Sequence, residues 1–195
     1  PSFTWLKEVI GVDASVEMLA AAQSKAYGLS ENRPMFLCQT MEELDLYGTV
    51  DAAISSLDSI NYLNGPGALD QALGRLQFFV RPGGLFIFDV NTEAKFRAID
   101  GESFVREEDD TFCVWSAAYD APYCAMTMDL FTRVGDLWSR EREEHLEYAF
   151  SDEELRSALM RNQFELEAVY AELSESPATV ESQRVFYVAR RRENQ

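Results

Sequence analysis

Apolar positions follow two rhythms along this chain, and through residue 90 the two alternate. Val9, Ile10 and Val12 form a nearly continuous β-branched run, the mark of a strand buried on both faces, and Asp13 closes it. Ser15 can then cap a helix with Glu17 in its first turn, an apolar face of Met18, Leu19, Ala22 and Ala26, and Gly28 at its end. Pro34 to Leu37 begins a second strand ending near Cys38, Gln39 and Thr40, and Glu42, Glu43 and Asp45 suggest a polar turn. Val50 to Ile54 reads as a third strand, running into the hydrogen-bonding loop SSLDSINYL, Ser55 to Leu63. Gly65, Pro66 and Gly67 punctuate the chain, and Leu69, Leu73, Leu76 and Val80 mark a helix by their spacing. RPGG, Arg81 to Gly84, predicts a tight turn before a buried strand, Leu85 to Val90, that carries Asp89 and leads to Asn91.

This alternation with short connections predicts an α/β fold, a doubly wound, Rossmann-like and mostly parallel sheet with helices on both faces. From about residue 103 to 150 the pattern becomes antiparallel in character. CVWSAAY, AMTMDLFTRV and LWSREREEHLEYAF, with a Gly135-Asp136 hairpin between the last two, predict an insertion of three or so strands. Ser151 and Glu154 form a capping box ahead of Leu155, Ala158 and Leu159. Phe164 to Ala171 and Gln183 to Ala189 then read as two closing antiparallel strands with an acidic loop between them. The organisation is one domain over 1–195, with 8–95 and 151–195 as the core and about 103–150 as the insertion. Residues 1–7 read as a fragment of an amphipathic helix with Phe3, Trp5 and Leu6 available to pack.

Asp13 falls at the carboxyl end of a strand, where open α/β sheets bind ligands, and a carboxylate there can accept hydrogen bonds from both ribose hydroxyls. The alternative is a solvated turn residue. A nucleotide-binding unit places a glycine-rich turn about 20 residues before such a tip, yet only twelve residues precede Asp13. The expectation is that a first strand with its glycine loop is missing between about Lys7 and Glu8.

Composition removes several functions. With 17 basic and 34 acidic side chains the net charge is −17, which repels nucleic-acid backbones and anionic membranes, so neither is expected as a partner. No apolar run reaches the roughly 20 residues of a membrane span, and PSFTWLKE has no signal-peptide character, so the expected location is cytoplasmic. Cys38, Cys113 and Cys124 lack a CxxC pair and read as reduced, mostly buried residues, with no metal site.

VIGVDASVEML, VDAAISSLDSINYL, RPGGLFIFDVN and the closing helix and strand pair together resemble the class I S-adenosylmethionine-dependent methyltransferases, particularly small bacterial members with an antiparallel insertion after the fifth strand, including sugar N-methyltransferase-like proteins. The resemblance implies S-adenosyl-L-methionine as cofactor. It implies that Asp13 holds the ribose, that Ala14 and Met18 sit near the adenosine, and that Thr40 and Met41 flank the adenine. Ser56, Leu57 and Asp58 would line the methionine end. Two departures stand out: no glycine loop is present, and Thr40 stands where relatives often carry an Asp.

Methyl transfer from a sulfonium needs positioning and exclusion of water more than a base, so the lack of a triad or metal cluster does not count against an enzyme. Asn61 and Tyr62 are candidate substrate contacts, against packing or loop capping. Tyr62 and His145 are the candidate catalytic groups; His145 is the only histidine, and its other reading is a cross-strand partner of Glu143 or Glu147. Trp115, Tyr119, Tyr123, Phe131 and Trp138 could serve as an acceptor cover, a homodimer face or, more economically, the packing of the insertion. The leading expectation is methyl transfer to an N or O nucleophile of a small-molecule acceptor. A methyltransferase-fold binding module with weakened cofactor affinity is the alternative, and a nicotinamide-dependent oxidoreductase the third.

Overall fold

The computed structural model describes residues 7–29, 33–172 and 174–193, so the expected helix fragment at 1–7 lies almost wholly outside the described residues. β1 (Ile10–Asp13) and β2 (Met35–Cys38) pair in parallel, Asp13 opposite Cys38, with α1 (Val16–Ala26) between them. Ser15 caps α1 by accepting from the Met18 N–H at 3.1 Å.

β3 (Val50–Ser55) leads through a 3-10 turn (Ser59–Tyr62) into α2 (Gly65–Phe79) and β4 (Val80–Asn91). The expected RPGG turn is built into β4 as an irregularity: Val50 pairs with Val80, but Ala52 already pairs with Leu85, so Arg81 to Gly84 loop out of register. Gly83 has φ +76°, which favours glycine, and a Cβ on Gly84 would sit 2.8 Å from the carbonyl oxygens of Arg81 and Asp51.

α3 (Glu93–Ile99), which the apolar pattern did not announce, follows β4. The insertion is then four strands, not three: β5 (Ser103–Glu108), β6 (Thr111–Asp120), β7 (Tyr123–Val134) and β8 (Leu137–Tyr148), an antiparallel meander with the expected hairpin at Gly135-Asp136. α4 (Asp152–Arg161) opens with both halves of the Ser151/Glu154 capping box in place. β9 (Phe164–Ala171) and β10 (Arg184–Arg191) close the fold as an antiparallel pair.

The main correction concerns the sheet. A doubly wound, mostly parallel sheet with a closing antiparallel pair was expected beside a separate antiparallel insertion; the insertion is its own sheet, β5-β6-β7-β8, while the described core strands fall into two sheets, β1-β2 and β3-β4-β10-β9. The break falls between β1 and β3, each of which pairs on one side only among the described residues. Two of the helices can be placed on a face of the larger core sheet. α2 and α4 both pack on one face of β3-β4-β10-β9, where Leu69, Leu73, Leu155 and Leu159 meet Phe86, Phe88, Val90, Val185 and Tyr187. On the opposite face Ile54 pairs with Ile87 but stays 73% exposed.

A second, smaller core of Phe96, Ile99, Ala117 and Cys124 joins α3 to the insertion, with Trp115 and Tyr119 packed against it. Of the insertion's aromatic residues, Trp115 stacks on Phe104, Tyr119 on Phe96, and Phe131 tilts against Phe112, so packing is their main use; Trp138 stays half exposed. Cys124 is buried as expected, whereas Cys38 is exposed.

Candidate active site

The carboxyl ends of β3 and β4, the inner face of β8 and the start of β10 converge on one group of polar side chains. β3 ends in a loop in which Leu57 (φ +58°) and Asp58 (φ +53°) are both left-handed, costing on the order of 1 kcal/mol each for residues with a side chain. Asp58 is anchored on three sides: its N–H donates to Asp89 at 3.1 Å, its Oδ2 accepts from Asn91 at 2.9 Å, and its Oδ1 accepts from Arg184. Arg184 also lies 3.4 Å from Asp89, whose carboxylate is almost fully buried. These contacts offset the backbone cost, and a partly buried guanidinium compensates two carboxylates that would otherwise be expensive to hold out of water.

Asn61 follows in the 3-10 turn and is completely buried. Its side-chain amide donates to the carbonyls of Asn91 and Tyr148, and its oxygen accepts from the Asn91 N–H, each at 2.9 Å. Every polar group of Asn61 is thus used to tie the turn to β4 and β8. Asn61, expected as a substrate contact, spends its side-chain hydrogen bonds among the described residues on the backbone of β4 and β8.

Tyr62 points the other way. Its hydroxyl lies 3.1 Å from Nδ1 of His145, and Nε2 of His145 lies 3.4 Å from Glu143. In the tautomer with the proton on Nε2, Tyr62 donates to Nδ1 and Nε2–H faces Glu143, a continuous chain leading to an exposed carboxylate. Burial, followed by the charges of Glu147, Asp58 and Glu143, pushes the Tyr62 hydroxyl up to about 12. The phenol is therefore neutral at ordinary pH. The two candidate catalytic residues, read from segments 83 positions apart, are in direct contact.

Glu147, which the sequence offers only as a cross-strand neighbour of His145, has a larger part in the site. It is 1% exposed, lies beneath the same group, and its Oε2 accepts from Asn91 at 3.1 Å. Burial raises its carboxyl to about 7, with the nearby Asp58 adding to the rise and Asn91 and Arg184 opposing it. Strand alternation alone hides this residue, because Leu146 beside it is 55% exposed and Glu147 is the one turned inward.

The proposed cofactor positions fall in two clusters. Asp13 is exposed at the tip of β1, with Oδ1 accepting from the Ser15 N–H at 2.8 Å, while Oδ2 makes no hydrogen bond among the described residues. Ala14 and Met18 are exposed beside it, as is Thr40 after β2, whereas Met41 packs against the main core. Ser56 and Leu57 are exposed after β3. No hydrogen bond among the described residues joins the Asp13 cluster to the Ser56–Asp58 cluster. A strand-tip carboxylate with a free oxygen suits a ribose, so the chemistry of the group fits the donor set that is present.

A methyltransferase-domain family model matches residues 3–84. Across nearly the whole chain, YqeM of Bacillus subtilis (strain 168), named as a methyltransferase, is 30% identical over 189 residues, covering 94% of this chain and 75% of that protein. The chain belongs to the class I S-adenosylmethionine-dependent methyltransferases. A solved S-adenosylmethionine-dependent methyltransferase from Clostridium acetobutylicum ATCC 824 superposes with TM-score 0.89 at 26% identity, covering 96% of this chain and 76% of that one. The sugar N-methyltransferase KedS8 from Streptoalloteichus sp ATCC 53650 shares the fold with TM-score 0.76 at 21% identity, over 94% and 71% of the two chains. Membership overturns the oxidoreductase reading and sets the non-enzymatic module aside: this methyltransferase is an enzyme that uses S-adenosyl-L-methionine.

Proposed function

We propose that this enzyme methylates an amine of a small molecule, with Tyr62 and His145 on the acceptor side. The observation that carries this reading is the Tyr62–His145–Glu143 chain set over the partly buried carboxyl of Asp58 and the buried carboxyls of Asp89 and Glu147. An amine attacks only in its neutral form, but acidic surroundings favour the arrival of its ammonium form. A proton must then leave. The Tyr62 oxygen can accept it as its own proton passes to His145 Nδ1, and Glu143 stabilises the imidazolium that results.

The bound cofactor supplies an electrophilic methyl group that is displaced in line from sulfur. In this reading Asp13 holds the ribose, with Ala14 and Met18 beside the adenosine and Thr40 and Met41 toward the adenine. The exposed Ser56 and Leu57 flank the methionine end, and Asp58 shapes that loop through its anchors. The fold shared with KedS8, a sugar N-methyltransferase, supports a small amino-bearing acceptor. The acidic surface supports it too, since −17 favours cations over polyphosphates.

The test is transfer of labelled methyl from S-adenosylmethionine to a panel of amino sugars and matched sugars carrying a hydroxyl in place of the amine. Label confined to the amines supports the reading; label on the hydroxyl compounds alone rejects it.

A further inference from the structure

Asn91 stands at the carboxyl end of β4 with its side-chain NH2 divided between two carboxyl groups, Asp58 Oδ2 at 2.9 Å and Glu147 Oε2 at 3.1 Å. The shared nitrogen sets the carboxyls of Asp58 and Glu147 side by side, and Glu147 is almost wholly out of water. Two like charges so placed repel at low local dielectric, which favours one proton held between them. Arg184 forms an ion pair with Asp58, whereas Glu147 has no ion-pair partner among the described residues. The proton therefore belongs on Glu147.

We propose that Glu147 is a positioning residue: as a neutral carboxyl it donates to Asp58 while accepting from Asn91, closing a hydrogen-bonded ring that holds the Leu57–Asp58 turn and, through it, Tyr62 against His145. The ring sits where a hold is needed. Leu57 and Asp58 are both left-handed, and Asn61, whose N–H donates to the Asp58 carbonyl at 2.8 Å, carries the chain directly into Tyr62. Asn61 in turn grips the backbone N–H and carbonyl of Asn91, so the ring and the turn share one anchor.

The charged and titratable groups facing Glu147 come from every neighbouring element. Asp58 and Tyr62 come from the turn, Cys124 opposite it from β7 and Arg184 from β10 with Asp89 of β4 behind it, while His145 and Glu143 share its face of β8 by strand alternation. Ionising Glu147 removes the donor to Asp58 and places two like charges side by side, which opens the ring and loosens the turn. The role rests on the placement of Tyr62 at the acceptor side.

The test uses the ligand-free, isotope-labelled full chain, so failure of the ring and failure of the amine-methylation reading appear in different experiments. The Asn91 side-chain amide protons and the Tyr62–His145 ring contact are followed by NMR between about pH 5.5 and 8.5. In the wild type, the amide protons should move with an inflection near neutrality and the ring contact should weaken above it. Glu147→Gln keeps a neutral donor and acceptor, so its Asn91 amide protons should stay at their low-pH positions at every pH apart from a His145 contribution shared with the wild type, whereas Glu147→Ala should lack those positions throughout. Any contribution from His145 is common to the wild type and E147Q, and that pair decides the matter even if E147A does not fold. The same inflection in E147Q, or an unchanged Tyr62–His145 contact in a folded E147A, overturns the proposal.

Discussion

The Tyr62 hydroxyl lies 3.1 Å from Nδ1 of His145, joining the turn after β3 to the long strand β8 across 83 residues of sequence. If that contact moves the acceptor's proton, Tyr62→Phe removes the relay and leaves the ring in place. Methyl transfer to an amine should fall about 100-fold in kcat, while affinity for S-adenosylhomocysteine stays within about three-fold. Steady-state kinetics beside calorimetry check both halves, and an unchanged kcat would take Tyr62 out of the chemistry.

Asp13 presents one engaged and one free oxygen at the tip of β1. Replacing it with Ala removes a charge-assisted acceptor and should weaken S-adenosylmethionine binding by roughly 1–3 kcal/mol. Isothermal calorimetry measures this directly. Affinity equal to wild type would remove Asp13 from the cofactor site.

Gly84 has no room for a side chain: a Cβ would lie 2.8 Å from two backbone oxygens and from Val80 Cγ1. Gly84→Ala should destabilise the fold by about 2–3 kcal/mol in urea titration, because backbone atoms yield poorly to overpacking. Gly67→Ala in α2, where nothing lies within 4 Å, provides the contrast; it should change stability by less than about 1 kcal/mol.

The Glu147 carboxyl is raised to about 7 in the fold, against about 4.3 in an unfolded chain. The native state thus binds a proton that the unfolded chain releases between those values. Its contribution to stability is complete below the unfolded value, declines as pH rises, and is lost once pH passes about 7. Glu147→Gln does not titrate, so relative to the wild type it should gain stability from pH 4.5 to 8, by at most about 3 kcal/mol. Paired urea titrations at the two pH values check the sign, and a constant difference would show that Glu147 does not titrate as described.

How far the sequence could be read followed from the range of the interactions. β1 with its Asp tip, the Ser15 cap, the Ser151/Glu154 capping box and the Gly135-Asp136 hairpin each depend on neighbours a few residues apart, and each formed where expected. Tyr62 and His145 were picked by residue type, but no periodicity could say that they touch. Glu147 was legible only as a charge in an acidic strand. The side of β8 that turns inward is set by Tyr62, Asn91 and Cys124, all distant in sequence, and they leave Leu146 in water and Glu147 in the interior. The hydrogen bonds of Asn61 were not legible either, because its three partners come from β4 and β8. The division of the core strands between two sheets was not legible for the same reason: alternation of strand and helix predicts which segments are strands, not which strands find each other.

The charge of −17 makes copies of this chain repel one another, a colloidal safeguard for a surface rich in carboxylates. It follows that solutions of this chain should be most prone to self-association near its pI of 4.4, where that repulsion vanishes.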